Sequence, residues 1–176
     1  MIARKAFLVL AIFVSATALV LGAGPTVSAE SRSTRTSVTP QASDTQKSGP
    51  YGWYSLENIE TGSCIDDSYE AGLRGYGCHF QTWQRFFVER KSNGYYYLGN
   101  EATQSCIDDS YQFGLRGHPC NNSPYQEWHL YDTATGIALQ NRATGSCIDD
   151  SYQYGLRGYA CNGNNHQSFA FWKEVN

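Results

Sequence analysis

Three copies of one short segment hold the residues best suited to chemistry in this sequence. Each copy reads Ser-Cys-Ile-Asp-Asp-Ser-Tyr, then Gly-Leu-Arg-Gly, then a second cysteine. The first copy places a carboxylate at Asp66, a guanidinium at Arg74 and an aromatic ring at Tyr76. A carboxylate accepts two hydroxyl hydrogen bonds, a guanidinium donates in a planar fork, and an aromatic face covers apolar C–H groups. Together these groups suit the binding of a sugar.

The same positions carry comparable residues in the other two copies. The candidate ligand-binding residues are Asp66, Arg74 and Tyr76; Asp108, Arg116 and His118; and Asp149, Arg157 and Tyr159. The alternative is that acid and arginine form an ion pair that fixes a hairpin and binds nothing, and an exposed pair of this kind contributes about 0–1 kcal/mol. The pair is identical in all copies, whereas a nearby position varies between Ala71, Phe113 and Tyr154. That contrast favours the binding interpretation.

The two cysteines of each copy predict a hairpin with a defined register. If they lie opposite each other across an antiparallel pair, Asp66 faces Tyr76 and Ser68 faces Arg74, with a turn over residues 69–73. Side chains alternate between the two faces of a strand, so the acid, the arginine and the ring share one face. We predict that this face points outward, toward solvent.

The opposite face of the hairpin is predicted to point into the core. Ile65 and Leu73 belong to this face. Asp67, Asp109 and Asp150 also fall on it, and a charge there is costly unless it is paired or hydrogen-bonded. We expect these three acids to accept hydrogen bonds from turn amides or to pair with the arginine of the same hairpin. Their predicted role is structural.

All six cysteines lie in these copies and are predicted to form one disulfide per repeat. The spacing within each pair is the same three times, which favours local pairing over the other connectivities. The predicted disulfides are Cys64–Cys78, Cys106–Cys120 and Cys147–Cys161. A loop of this size contributes about 3 kcal/mol on a chain-entropy estimate. No Cys-x-x-Cys occurs, so we predict no metal site, and no other motif indicates a cofactor.

The amino-terminal part of the sequence differs in composition from the repeats. Two basic residues precede an apolar stretch, residues 6–21, and small residues lead to Ala29, which is the order of a secretory signal peptide. A membrane anchor is the alternative, but polar residues interrupt the stretch. We predict a signal peptide over residues 1–29 and a disordered Ser/Thr-rich arm over residues 30–50. The protein is then secreted and extracellular, with no membrane span in its mature form.

The net charge excludes one class of partner. The full sequence carries a formal charge of −3 at pH 7. The predicted signal peptide contains basic and no acidic residues, so the mature chain is more acidic still. An acidic chain repels the phosphate backbone, and we therefore expect no nucleic-acid partner.

Residues 51–176 contain three repeats, at 51–94, 95–135 and 136–176. Short aromatic and β-branched segments alternate with Gly, Asn and Asp, which predicts about four strands per repeat. Each repeat closes with Gln-x-Phe or Gln-x-Trp, beginning at Gln84, Gln126 and Gln167. Cys-Ile-Asp, the second cysteine and this closing motif, each present three times, resemble the ricin B-type (R-type) lectin family.

The resemblance implies an all-β fold, a β-trefoil with three internal repeats over residues 51–176. It also implies that Asp66, Asp108 and Asp149 are the main sugar-contacting acids, that Tyr76 and Tyr159 stack on the sugar, and that His118 is a weaker platform. Galactose-binding members usually have Asn before the closing Gln and often have Gln four residues before the second cysteine. Those positions here hold Trp83, Tyr125 and His166, and Arg74, Arg116 and Arg157. The resemblance therefore does not identify the sugar.

Two functions are compatible with these observations. The first hypothesis is a secreted, non-enzymatic carbohydrate-binding module with up to three equivalent sites, whose partner is a glycan or polysaccharide. The alternative is an adaptor subunit of a secreted assembly such as a toxin complex. In it the acidic hairpins grip a Lys or Arg of a partner protein and residues 30–50 dock. Catalysis is not predicted, because hydrolase and phosphate-binding motifs are missing and adjacent aspartates of a strand point to opposite faces.

Overall fold

The computed structural model describes residues 49–175, which form twelve β-strands and three short 3-10 turns. This part of the chain contains no α-helix. The predicted signal peptide and all but the last two residues of the predicted arm lie outside the described residues. In chain order the strands are β1 (Gly52–Asn58), β2 (Ser63–Ser68), β3 (Gly72–Gly77), β4 (Phe86–Arg90), β5 (Tyr96–Asn100), β6 (Ser105–Ser110), β7 (Gly114–Pro119), β8 (Trp128–Asp132), β9 (Ile137–Asn141), β10 (Ser146–Ser151), β11 (Gly155–Ala160) and β12 (Phe169–Lys173).

Six of the strands close into a barrel, to which each repeat contributes its first and fourth strand. β1 pairs with β12 and β4, β5 pairs with β4 and β8, and β9 pairs with β8 and β12, all antiparallel. The ring of pairings is complete. The barrel strands therefore leave no open sheet edge among themselves.

The second and third strands of each repeat form a hairpin outside the barrel. The hairpins are β2–β3, β6–β7 and β10–β11, and each is joined to the first strand of its own repeat. Strands β3, β7 and β11 contact one another, so the three hairpins together cover one end of the barrel. This is the predicted all-β β-trefoil. The one disulfide per repeat is also confirmed, at Cys64–Cys78, Cys106–Cys120 and Cys147–Cys161.

The core is built from equivalent apolar side chains of the three repeats. The Ile of each Cys-Ile-Asp segment and the aromatic residue of each closing motif are fully buried: Ile65, Ile107 and Ile148, with Phe86, Trp128 and Phe169. Full burial of one such side chain contributes about 1.5–3 kcal/mol. Leu73 packs against this core from its edge. The predicted core face of the hairpin is therefore correct.

The register of the hairpins differs by two residues from the prediction. Asp66 lies directly opposite Arg74, and Cys64 lies opposite Tyr76. The prediction was wrong because Cys78 follows the last residue of β3, so the disulfide joins a strand residue to a loop residue. A shift of two residues leaves every side chain on its predicted face but changes its partner. Each acid is thereby brought level with its arginine, and the other two hairpins have the same register.

The connection between the hairpin strands is correspondingly shorter than predicted. It covers residues 69–71 and ends at Gly72, whose φ of 67° is a left-handed conformation that glycine adopts without strain. The Ser68 hydroxyl accepts a hydrogen bond from the backbone N–H of Ala71 (3.2 Å) and so closes the turn. The Gly of Gly-Leu-Arg-Gly therefore ends the turn, and the Leu and Arg follow on the strand.

Candidate ligand-binding site

Each hairpin carries one ion pair between its first aspartate and its arginine. Nε of the arginine donates to Oδ1 of the aspartate at 3.2 Å for Arg74–Asp66, 3.0 Å for Arg116–Asp108 and 3.1 Å for Arg157–Asp149. The aspartates were predicted to be outward and exposed. That prediction is wrong, because only 1–3% of each of these residues is accessible. The arginine lies above its partner, with 31–41% of its side chain exposed.

In two of the repeats a second side chain contacts the other carboxylate oxygen of the aspartate. Nε2 of His79 lies 3.3 Å from Oδ2 of Asp66. In the third repeat Nε2 of Gln167 donates to Oδ2 of Asp149 (3.2 Å). These carboxylates therefore orient the arginine rather than face solvent. The adaptor hypothesis needs acidic hairpins that grip a partner's Lys or Arg from the surface, and the burial of the carboxylates contradicts that part of it.

The glutamine of each closing motif is buried and holds the loop that follows the second cysteine. Oε1 of Gln84 accepts hydrogen bonds from the backbone N–H groups of His79 (2.8 Å) and Phe80 (3.0 Å), and its Nε2 donates to the carbonyl of Gly77 (3.0 Å). Gln126 and Gln167 likewise accept a bond from the backbone N–H that follows the second cysteine and donate to a carbonyl of the preceding strand. The Gln and the core aromatic residue of the motif therefore have a structural role, and they support the floor of the site.

Aromatic rings flank the guanidinium groups. The Arg74 guanidinium carbon lies 4.3 Å from the centre of the Tyr76 ring. In the third repeat Arg157 lies between Tyr154 (4.3 Å) and Tyr159 (4.2 Å). In the second repeat Arg116 lies over the ring of Phe113 (4.3 Å). Phe113 and Tyr154 occupy the position two residues after the turn tyrosine, which varies between the repeats. In these two repeats that position therefore contributes a ring to the site.

A tyrosine that was predicted only as part of the turn is exposed at the same position of every hairpin. Tyr69, Tyr111 and Tyr152 are each about three-quarters exposed. Their hydroxyls donate to backbone carbonyls of the next repeat, at Ala102 (2.9 Å), Ala143 (2.9 Å) and Glu60 (2.8 Å). Each ring also meets edge-on the residue that precedes the closing glutamine: Trp83, Tyr125 and His166. The sequence could have indicated a role for this tyrosine, because the same turn position holds tyrosine in all three repeats.

In the first repeat these groups surround a shallow depression of about 350 Å³. It is lined by Asp66, Ser68, Tyr69, Glu70, Arg74, His79 and Trp83. The floor is the buried acid beneath its arginine, and the walls are the tyrosine and tryptophan rings. The structure therefore brings the predicted acid and arginine of this repeat together at one surface feature. Tyr76 is not among the lining residues, but its ring lies against the Arg74 guanidinium.

The second aspartate of each hairpin lies on the core side, as predicted, but with a different partner. Asp67, Asp109 and Asp150 accept hydrogen bonds from the hydroxyls of Thr103, Thr144 and Thr61, each in another repeat. Neither the turn amides nor the arginine of the same hairpin supplies this bond. Burial raises the pKa of each of these carboxyls, and the threonine hydrogen bond opposes that rise. These acids link the repeats and do not line the site.

Two further findings, on metal-binding clusters and on membrane-spanning helices, apply to residues 49–175. No group of three or more His, Cys, Asp or Glu side chains in that range is placed to hold a metal ion. No helix there is long and apolar enough to cross a membrane.

Comparison with known proteins gives similarity in structure only. A scan of the sequence against protein-family models and a search among curated proteins found no match. A designed threefold-symmetric protein, ThreeFoil, matches with a TM-score of 0.63 and 18% identity over 70% of this chain and 99% of its own. The ricin B-like lectin of Macrolepiota procera, solved in complex with lactose, matches with a TM-score of 0.61 and 17% identity over 73% of this chain and 99% of its own.

A third similar structure belongs to a longer protein. The endo-β-galactosidase of Clostridium perfringens that releases GlcNAcα1-4Gal matches with a TM-score of 0.63 and 14% identity over 70% of this chain, which spans 32% of that enzyme. With the closed six-stranded barrel and the three capping hairpins, these matches show that the chain has the ricin B-type β-trefoil fold. At identities this low they establish the fold alone.

Proposed function

We propose that the protein is a carbohydrate-binding module with one sugar site on each of its three hairpins. The observation that carries this proposal is the threefold recurrence of an exposed arginine, anchored by a buried carboxylate and flanked by exposed aromatic rings. The fold uses the tyrosine hydroxyl and the arginine Nε of each repeat, but it does not require the exposed surface of the ring or of the guanidinium. A ligand that each site contacts in the same way explains the repetition.

The chemistry of each site suits a pyranose ring. The guanidinium is a donor-only group that can bond two oxygen atoms at once, and its orientation is fixed by the carboxylate below it. The turn tyrosine and its edge-on neighbour supply apolar surface for the C–H face of the sugar. The depression is shallow, so one site binds weakly. Three sites on one rigid barrel increase the overall affinity for a polymer through multivalency.

The fold supports the same proposal. The Macrolepiota procera lectin, whose structure contains lactose, shares the trefoil over almost its whole length. We propose binding rather than catalysis for this chain because its paired aspartates are committed to other contacts. Asp66 lies under Arg74, and Asp67 bonds Thr103 on the opposite face. Hydrolysis requires two carboxyl groups that flank one glycosidic bond, and such a pair of aspartates does not provide them.

We also propose that the protein is secreted after removal of residues 1–29. Three disulfides within the described residues favour an oxidising compartment. Fractionation of an expressing culture, followed by amino-terminal sequencing of the protein in the medium, is the test. We expect a chain that begins at Glu30. A chain that stays in the membrane fraction with residues 1–29 intact would show that this segment is an anchor.

The binding proposal is tested by polysaccharide pull-down and a glycan array with variants of the turn tyrosines. Replacement of Tyr69, Tyr111 and Tyr152 together by Ala removes the walls, and we expect at least a tenfold loss of affinity. The matching Phe variant keeps the rings but loses the hydroxyl bonds to the next repeat, and should bind nearly as the parent does. Tyr51→Ala, an exposed tyrosine outside the hairpins, is the control.

The outcomes of this experiment are distinct. If the Ala and Phe variants lose binding equally while both remain folded, the walls act through their hydroxyls and the stacking role is wrong. If the parent binds no glycan or polysaccharide, the proposed function itself is wrong. Replacement of Asp66, Asp108 and Asp149 by Ala is a poorer test, because it removes the buried partner of each arginine and disturbs the hairpin directly.

A further inference from the structure

Of the Asp, Glu, Lys and Arg side chains in the second and third hairpins, only the arginine reaches solvent. Those hairpins cover residues 105–119 and 146–160 and contain two aspartates and one arginine each. The aspartates are 2–4% exposed, whereas 31% of each arginine side chain is exposed. Each hairpin thus has one more aspartate than arginine, but its two aspartates are buried and its arginine is the charged group that faces outward. The exposed charged group of each of these hairpins is therefore a guanidinium cation, although the sequence as a whole carries a net charge of −3.

The guanidinium groups retain most of their donors. Within the described residues, the bond from Arg116 to Asp108 and the bond from Arg157 to Asp149 both use Nε. The two Nη groups of each arginine are left to other acceptors, and they form the planar fork that matches two oxygens of an anion. The carboxylate behind the guanidinium keeps the fork in place, which reduces the entropy lost when a ligand binds.

Acceptors are scarce at the same sites. Oδ1 of Asp149 is occupied by Arg157 and Oδ2 by Gln167, and the residue is almost fully buried. A sugar hydroxyl donates as well as accepts, so a site built for neutral sugars offers both partners. A carboxylate or a sulfate ester only accepts. A donor fork whose neighbouring carboxylate is buried and already bonded matches such a group better than it matches a hydroxyl.

We propose that the preferred ligands are polysaccharides whose sugar units carry an anionic group, either a uronate carboxylate or a sulfate ester, held by Arg116 and Arg157. This inference rests on the proposed carbohydrate-binding function and names the ligand class for the same sites. A charge-assisted hydrogen bond is stronger than a neutral one. We expect a preference of about tenfold for the charged ligand over its uncharged counterpart.

The first repeat departs from this pattern at one residue. Glu70 lines the depression beside Arg74, whereas the other two hairpins have Gln112 and Gln153 at the equivalent turn position. An acid at this point repels an anionic ligand and partly cancels the field of the arginine. The structure therefore assigns the anion preference to the second and third sites and makes the first site weaker for such ligands.

Matched pairs of polymers test the ligand class. Polygalacturonate is compared with its methyl ester, which has the same backbone without the charge, and dextran sulfate is compared with dextran. We expect each charged polymer to bind the full-length mature protein at least tenfold more tightly than its partner, with affinity falling as salt rises from 50 to 500 mM. The two pairs separate carboxylate from sulfate recognition.

Exchange of the turn residue tests the assignment without touching the arginine or its carboxylate. Gln112→Glu with Gln153→Glu should weaken binding of the charged polymers about fivefold or more, and Glu70→Gln should strengthen it about twofold. Binding of the uncharged polymers should not change. Ala134→Glu with Val175→Glu adds the same charge at exposed positions outside the hairpins and is the control.

The results distinguish a failure of the anion preference from a failure of the proposed carbohydrate-binding function. If the uncharged polymers bind as tightly as the charged ones, the anion preference is overturned and the carbohydrate-binding function stands. If the control pair weakens binding as much as the Gln112 and Gln153 pair, the attraction is a general charge effect and the assignment to these arginines is overturned. If no polymer and no arrayed glycan binds, the proposed function falls, and this inference falls with it.

Discussion

The carboxylate of Asp150, in the last repeat, accepts a hydrogen bond from the hydroxyl of Thr61, in the first repeat. The same contact joins Asp67 to Thr103 and Asp109 to Thr144. Each repeat therefore donates to one neighbour and accepts from the other, and the three contacts form a closed cycle. The second aspartate of each hairpin thus holds the three repeats together, while the first aspartate holds an arginine.

Removal of one donor from this cycle should destabilise the protein most at neutral pH. Thr103→Val keeps the shape of the side chain but leaves the buried carboxylate of Asp67 without its hydroxyl partner. We expect the free energy of unfolding to fall by about 1–3 kcal/mol at pH 7. Urea unfolding followed by fluorescence measures this change. The matching variant at an exposed threonine outside the cycle, Thr135→Val, should cost much less, and an equal loss at both positions would contradict the role of the cycle.

The pH dependence of stability follows from the same carboxyls. Burial raises the pKa of Asp67, Asp109 and Asp150 above the ordinary value of 3.8, with the threonine bond acting in the opposite direction. A raised pKa in the folded state means that the folded protein holds these protons more tightly than the unfolded chain does. Their contribution to stability therefore increases as the pH falls from neutral through the folded-state pKa, and is complete below about 3.8.

Replacement of these three residues by Asn tests that sign. Asn has the shape of the protonated carboxyl and still accepts the threonine hydrogen bond. We expect the triple variant to be more stable than the parent at pH 7 and to lose its advantage as the pH approaches 4. Thermal unfolding at intervals between pH 4 and pH 7 measures the difference. An advantage that stays constant over this interval would show that ionisation of these groups is not its cause.

The glycine that follows the arginine should tolerate no side chain. A Cβ added to Gly117 would come within 2.5 Å of the Asp67 carboxylate of the preceding repeat. Gly117→Ala should therefore lower the free energy of unfolding by about 1–3 kcal/mol. Gly77→Ala is the matched control, because a Cβ there meets no atom within 4 Å. A cost that is equal at the two positions would point to backbone entropy rather than to the close approach.

The trefoil fold could be predicted because the pattern that resembles the ricin B-type lectins occurs three times. The equal spacing of the cysteine pairs, the repeated Cys-Ile-Asp segment and the closing Gln motif define the unit. The alternation of Ile65 and Asp66 correctly places Ile65 on the core face, although Asp66 on the opposite face is also buried. A repeat of this length cannot bury its apolar face alone, and three copies bury it together. The repeat unit and its faces follow from local pattern, and the trefoil itself follows from the family resemblance.

The partners of the hairpin side chains could not be predicted in the same way. The register depended on where the second cysteine stands relative to the strand end, and Cys78 lies just beyond β3. The partner of Asp67 is in another repeat, so no spacing within one hairpin reveals it. The burial of Asp66 depends on the arginine that lies over it. Contacts between repeats and between layers are properties of the assembled barrel.

The pairing of Asp108 with Arg116 should be measurable as a coupling energy. Arg116→Gln leaves a carboxylate that is 2% exposed without its charged partner, and we expect the free energy of unfolding to fall by about 2–3 kcal/mol. Asp108→Asn should cost less, about 1 kcal/mol, because the partly exposed guanidinium can still be hydrated.

The double variant replaces both charges by neutral groups of similar shape, so no unpaired charge remains. We expect its loss to be smaller than the sum of the two single losses by about 1–2 kcal/mol, measured by urea unfolding of all four proteins. Strict additivity would mean that the pair does not anchor the arginine. A sizeable coupling, together with loss of polysaccharide binding in the folded double variant, would show that the buried acid stabilises the hairpin and orients the exposed guanidinium toward its ligand.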